Sequence, residues 1–85
     1  MTKEEEIIEI MADVEHDRWA KWQKHVHDKC ELRPDGLLIP NSLVERWEEQ
    51  YRTPYIALSE EDREKDRREA RVTIKALNNE GFEII

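Results

Sequence analysis

The chain is poor in the residues that punctuate or brace small folds. Of its 85 residues, two are glycine (Gly36 and Gly81), three are proline and one is cysteine. Two isolated glycines cannot build a glycine-rich phosphate loop, which needs several close backbone approaches. The single cysteine, Cys30, excludes an internal disulfide framework and suits a reducing cytoplasm. No apolar run approaches membrane-spanning length, and the opening MTKEEEII lacks the order of a signal peptide, so no membrane partner is expected. A basic block is missing too: fourteen Lys and Arg are interleaved with twenty-one Asp and Glu, for a net charge of −7. Phosphate-backbone binding needs clustered positive charge, so no nucleic-acid partner is expected. The same interleaving argues against an acidic nucleic-acid mimic.

What is present fits one small domain over residues 1–85. Hydrophobic residues make up 38% and charged residues 41%, with three Trp and two Tyr to fill a core. A chain this short buries roughly 60–65% of its unfolded surface, so that core is small. A polar small domain often hides part of its apolar face in a partner, and a homodimer is the expected state.

Local signals predict three helices. Thr2-x-x-Glu5 is a capping box, followed by Ile7, Ile8, Met11, Val14, Arg18/Trp19, Trp22 and Val26 at steps of three and four. This predicts a helix from about Thr2 to His27. Pro34-Asp35-Gly36 reads as a turn, and Leu37–Ile39 as a short extended stretch. Ser42-x-x-Glu45 reads as a second capping box, opening a short helix that Pro54 stops. Pro54–Leu58 reads as a connector rich in apolar contacts. Ser59 is placed to cap a third helix running to about Asn78, with Asn79-Glu80-Gly81 as its C-terminal cap. Phe82–Ile85 is apolar enough to dock or to pair with Leu37–Ile39. The expected fold is mainly all-α: a three-helix domain with short extended segments near 37–39 and 82–85.

The third helix carries EEDREKDRREAR over residues 60–71. Counting back by threes and fours from Leu77, Ile74 and Ala70 puts Arg63, Asp66 and Arg67 on the inward stripe. Glu61–Lys65 and Glu64–Arg68 are favourable pairs on the outer flanks. Arg63, Arg67 and Arg71 form a same-sign row that something must compensate. The candidates are Asp66, a group from another helix, or an external anion. An internal ion-pair network that closes one end of the bundle is one reading. A guanidinium pair facing a ligand phosphate is the other, since arginine suits bidentate phosphate recognition.

These residues also resemble a known family. Thr53-Pro54-Tyr55-Ile-Ala-Leu58-Ser59-Glu60-Glu61-Asp-Arg63-Glu-Lys-Asp66-Arg67, then Ile74-Lys75-Ala76-Leu77 and Gly81-Phe82, is similar to the ryanodine receptor repeat (RyR) domain. Arg63 stands where that family usually has lysine. His16-Asp17-Arg18-Trp19 resembles its His-x-x-Trp element. The resemblance is strong over 53–82. It departs over 24–50, where GLLIPNSLVERW looks more like short phage or prophage proteins. It implies a compact helical domain and a single-copy version that senses or sequesters a nucleotide-derived anion. The matching positions are His16, Trp19, Tyr55, Asp66 and Arg67, with Arg63 as an added cation. Brought together, they would give an aromatic wall beside a guanidinium. They would equally suit a core hydrogen-bond network.

Other constellations are weaker. His25, His27, Asp28 and Cys30 lie within six residues, but on a helix the two histidines point apart and no second cluster completes a site. No metal or other cofactor is expected. Ser42 and Ser59 sit where caps are wanted, and Cys30 lacks a positioned base, so no enzyme activity is expected. Trp19, Trp22, Trp47 and Tyr51 form an aromatic stripe at helical spacing, read as core or as a dimer seam. The functional expectation is a non-enzymatic cytoplasmic module for a small nucleotide-like anion. The alternative is a structural or dimerisation module without a small ligand.

Overall fold

The computed structural model describes residues 1–84. Helix α1 (Lys3–Lys29) starts where the capping box places it. The Thr2 hydroxyl accepts from the Glu5 amide at 3.1 Å, and the Glu5 carboxylate takes the Thr2 amide at 3.4 Å and its hydroxyl at 2.9 Å. Two of the donors orphaned at a helix start are thereby matched. His27 and Lys29 put positive-type side chains in the last turn, where the dipole favours them.

The chain then makes a hairpin. Strand β1 (Glu31–Arg33) pairs antiparallel with β2 (Gly36–Leu38), with Leu32 opposite Leu37. Pro34 and Asp35 of the expected turn lie between them, and Gly36 opens β2. Of the two roles expected of the C-terminal segment, docking or pairing with 37–39, the pairing is corrected: residues 36–38 pair with residues 31–33. A two-residue connection closes far less chain than a return from residue 82, and so costs less entropy. Residues 82–84 carry no regular structure, and Ile85 of the expected 82–85 segment lies outside the described residues.

Helix α2 (Asn41–Arg52) corrects a second expectation. Its cap residue is Pro40, not Ser42, and the cap makes no side-chain hydrogen bond. The Pro40 carbonyl accepts from the Leu43 and Val44 amides at 2.9 and 3.1 Å. Proline brings a fixed φ, here −57°, and starts the helix two residues before a Ser42 cap would. Thr53, before Pro54, is extended at φ −95°, ψ 121°, and ends the helix as a pre-proline residue should.

Tyr55–Ala57 form one 3-10 turn, in which Ile56 is 81% exposed and so adds little to the apolar contact expected of the connector. Helix α3 (Glu60–Asn79) follows, with the Ser59 hydroxyl accepting from the Asp62 amide at 3.1 Å. It ends in a left-handed glycine. Gly81 has φ +91°, its amide donates to the Asn78 carbonyl, and the Phe82 amide reaches back to Leu77, both at 3.0 Å. That pair of bonds is a Schellman motif, and it needs a residue without Cβ strain at its corner.

The three-helix, mainly all-α class is as expected, but the packing is open. Helix α1 packs along α3, whereas α2 meets α1 chiefly through Trp22 and Trp47. Among the described residues only Leu77 is buried, at 7% exposure. The surface is 7308 Å², and the radius of gyration is 16.7 Å. A compact chain of 10.3 kDa exposes about 5,400 Å² by surface scaling. Its radius of gyration would be about 12 Å. The three helices are formed, but their apolar faces are incompletely covered.

Candidate functional site

The uncovered faces converge on one groove. Helix α1 presents Trp19, Trp22 and His25 at steps of three, so the three rings follow one another along a face. Trp22 stacks on His25 with centroids 5.4 Å apart and planes at 27°. From α2, Trp47 meets Trp22 edge-on at 5.6 Å and 66°, and lies 6.5 Å from His25. Such offset and edge geometries match the positive rim of one ring to the negative face of the next. Tyr51 lies one helical turn beyond Trp47. With Leu43 and Leu58, these rings line a groove of about 1140 Å³ between the three helices. All three tryptophans of the chain line it. Trp19 is 59% and Trp22 46% exposed. The core reading of the aromatic stripe is therefore corrected: too little of the chain lies across the groove to enclose it.

The groove's rim is charged but balanced. Helix α3 contributes Asp62, Asp66, Glu69 and Lys65, and the other two helices contribute Glu15, Arg18, Lys29 and Arg46. Four carboxylates face four cations on a chain whose net charge is −7, so the acidity lies elsewhere. Arg18 is paired with Glu15, and Lys65 lies 3.9 Å from Asp62. Asp66, Glu69, Lys29 and Arg46 make no ion pair among the described residues.

The six residues expected to form a site divide between two places. Trp19 and Asp66 line the groove. His16 stacks on Trp19 at 6.1 Å, one turn earlier on α1. Arg63, Arg67 and Tyr55 belong elsewhere. Tyr55 lies on the 3-10 turn, near Arg67 and outside the groove lining. The inward stripe is partly corrected: Arg63 and Arg67 are half-buried, but Asp66 and Ala70 are exposed, and Leu77 carries the packing.

The arginine row is compensated within its own helix. Arg63 bonds Glu60 at 2.9 Å. Arg67 bonds both Glu60, seven residues back, and Glu64 at 3.2 Å. Arg71 bonds Glu64, also seven back, at 2.7 Å. The ladder replaces both expected flank pairs: Glu64 turns to Arg67 and Arg71, and Lys65 to Asp62. Each glutamate serves two guanidiniums, which removes the same-sign penalty of the row. The hydrogen bond and charge of Arg67 hold the Glu60 carboxyl below its usual range. Hydrogen bonds from Arg71 and then Arg67 do the same for Glu64. The two carboxylates in turn raise Arg67 above the ordinary guanidinium value. Among the buried side-chain polar atoms of the described residues, Arg63 Nε alone lacks a hydrogen-bond partner.

Sequence reasoning missed Glu60 and Glu64 as the partners, although their spacing of three and seven from the arginines was there to read. Glu69, Lys29 and Arg46 escaped it because they share a groove only through the crossing of helices. At the end of α1, Asp28 is tied to Lys24 at 2.9 Å and His25 is stacked on Trp22. Among the described residues no three His, Cys, Asp or Glu side chains come together to hold a metal ion. No helix among them is long and apolar enough to cross a membrane. The chain matches no protein-family model, no curated protein and no solved structure in comparisons with all three.

Proposed function

We propose that this chain is a non-enzymatic protein-interaction module of the cytoplasm, and that it docks a polypeptide partner in the groove between its helices. The observation that carries the reading is the groove itself: every tryptophan of the chain lines it, together with Tyr51, and two of them are about half exposed or more. Exposed clustered aromatics are what interface centres are made of, because they bury large area at low entropy cost. At about 1140 Å³ the groove exceeds the usual few-hundred to ~1,000 Å³ of a small-molecule site. Its rim offers as many carboxylates as cations, which favours a mixed protein surface over an anion.

The nucleotide reading has less support. Arg63 and Arg67, the cations meant for a phosphate, are engaged by Glu60 and Glu64 and do not line the groove. A phosphate would have to displace two carboxylates before binding. Kinship with ryanodine receptor repeat domains remains part of the proposal, but a shared fold assigns no ligand.

The test sets two probes side by side. 1-Anilinonaphthalene-8-sulfonate should bind with energy transfer from tryptophan, and acrylamide should quench the tryptophans in dilute protein. ATP and ADP-ribose at millimolar concentration should leave the melting temperature unchanged. A nucleotide that raises it by several degrees, with the effect lost in a folded Arg67→Ala variant, would overturn the docking reading in favour of the ligand reading.

A further inference from the structure

The groove has a specific occupant. We propose that it is a second copy of this chain, seated groove to groove about a two-fold axis, so that each copy completes the other's core. The inference rests on the docking reading above and identifies the partner.

Area is the first argument. The isolated chain exposes 7308 Å², about 1,900 Å² more than a compact chain of its mass by surface scaling. Two copies that each hid this excess would bury about 3,800 Å² together, inside the range of obligate homodimers and well above that of transient contacts. With Leu77 the one buried side chain among the described residues, a single copy has almost no core of its own. A closed pair would supply one.

Charge is the second argument. On a chain of net charge −7, two copies repel unless the touching patches are neutral, and the groove is the place where the charges balance. Asp66 and Glu69 stand on α3, and Lys29 and Arg46 on α1 and α2. All four line the groove and are left without an ion-pair partner among the described residues, whereas Glu60, Arg63, Glu64, Arg67 and Arg71, which lie off the groove on the same α3, are knitted into a ladder. In a two-fold contact the same patch occurs on both sides, so residue i meets j and j meets i. The acidic wall of one copy then faces the basic wall of the other, twice. A partner of one charge sign could match only one wall.

The tryptophans report the event directly, since no tryptophan lies outside the groove. Sedimentation equilibrium over low-micromolar to millimolar protein should give a mass twice the 10.3 kDa of one chain, falling on dilution. Tryptophan emission should shift to the red as the dimer dissociates, with the same midpoint. D66K/E69K and K29E/R46E variants, each of which cuts no ion pair within the chain, should be monomeric alone. Mixed in equal amounts, they should form a heterodimer with wild-type-like emission. A monomeric wild type at every concentration overturns the proposal, as does a wild-type dimer whose emission is independent of association. If either variant fails to fold, the two wild-type measurements still decide. A monomer whose tryptophans acrylamide quenches freely removes the second copy but leaves the groove open to another polypeptide. A monomer whose tryptophans are shielded removes the docking reading as well.

Discussion

At the scale of single residues, the most informative group is the glutamate pair on α3. Glu60 is depressed chiefly by Arg67, whereas Glu64 is depressed first by Arg71 and then by Arg67. The asymmetry makes a prediction that a generic charged helix would not. Arg67→Ala should return the Glu60 carboxyl most of the way to the ordinary glutamate range. Glu64 should stay low because its larger partner remains. Carboxyl chemical shifts followed through an acid titration measure both. A Glu60 that titrates identically in wild type and variant would sink the ladder. The sign of the linkage is set by the direction of the shifts. Both carboxyls are lowered in the folded state, so what they contribute is present above the ordinary glutamate range. It is lost as pH falls through the lowered values. Both groups are open to water, so the ladder's effect on overall stability is small and screened by salt.

At the scale of elements, the two serines offered as caps differ in a way that denaturation can measure. Ser59 accepts a hydrogen bond from the Asp62 amide, whereas Ser42 lies inside a helix already started by Pro40. Ser59→Ala should therefore destabilise the chain by about 1 kcal/mol. Ser42→Ala should be neutral or stabilising by a few tenths of a kcal/mol, since alanine is the better interior residue. Urea unfolding at one fixed protein concentration compares them. An equal loss at both positions would restore Ser42 as a cap. The contrast also marks what could be read from the chain. The Thr2 box, Ser59 and the Gly81 corner were legible because a cap depends on residues within four positions of itself. Ser42 carried the same local signature and misled, because Pro40 two residues upstream was the stronger constraint. Leu37 signalled an extended stretch, but a three-residue strand says nothing about which segment will pair with it. The face of α3 was half legible. Leu77 was placed inward correctly, whereas Asp66 was not, since periodicity assumes a partner helix on the apolar side and here that side faces an open groove. The aromatic stripe was visible as a stripe, and its dimer-seam alternative was on the table. Only the crossing of α1 with α2 tells a core from a groove.

At the scale of the whole molecule, the relation between surface and mass governs everything else. An unfolded chain of 10.3 kDa would expose about 15,000 Å² by the linear scaling for extended chains. The folded 7308 Å² is about half of that, so a single copy buries less than the 60–65% usual at this length. The shortfall has a shape, because the described residues span 47 × 33 × 16 Å and are flat rather than round. Small-angle X-ray scattering extrapolated to the lowest usable concentration measures that shape without any partner. The expected radius of gyration is near the 16.7 Å of the described Cα atoms, plus a small hydration contribution, and not the ~12 Å of a compact 85-residue chain. A value near 12 Å in dilute solution would mean that α2 folds down over Trp19 and Trp22 within one chain. The groove would then be closed from inside, and the excess surface with it. A value near 16–17 Å would mean that the single copy holds the groove open. The surface it leaves in water, polar and apolar together, is about 1,900 Å² beyond that of a compact chain, and on the apolar share of it the hydrophobic effect, at ~25 cal/mol per Å², acts toward covering it.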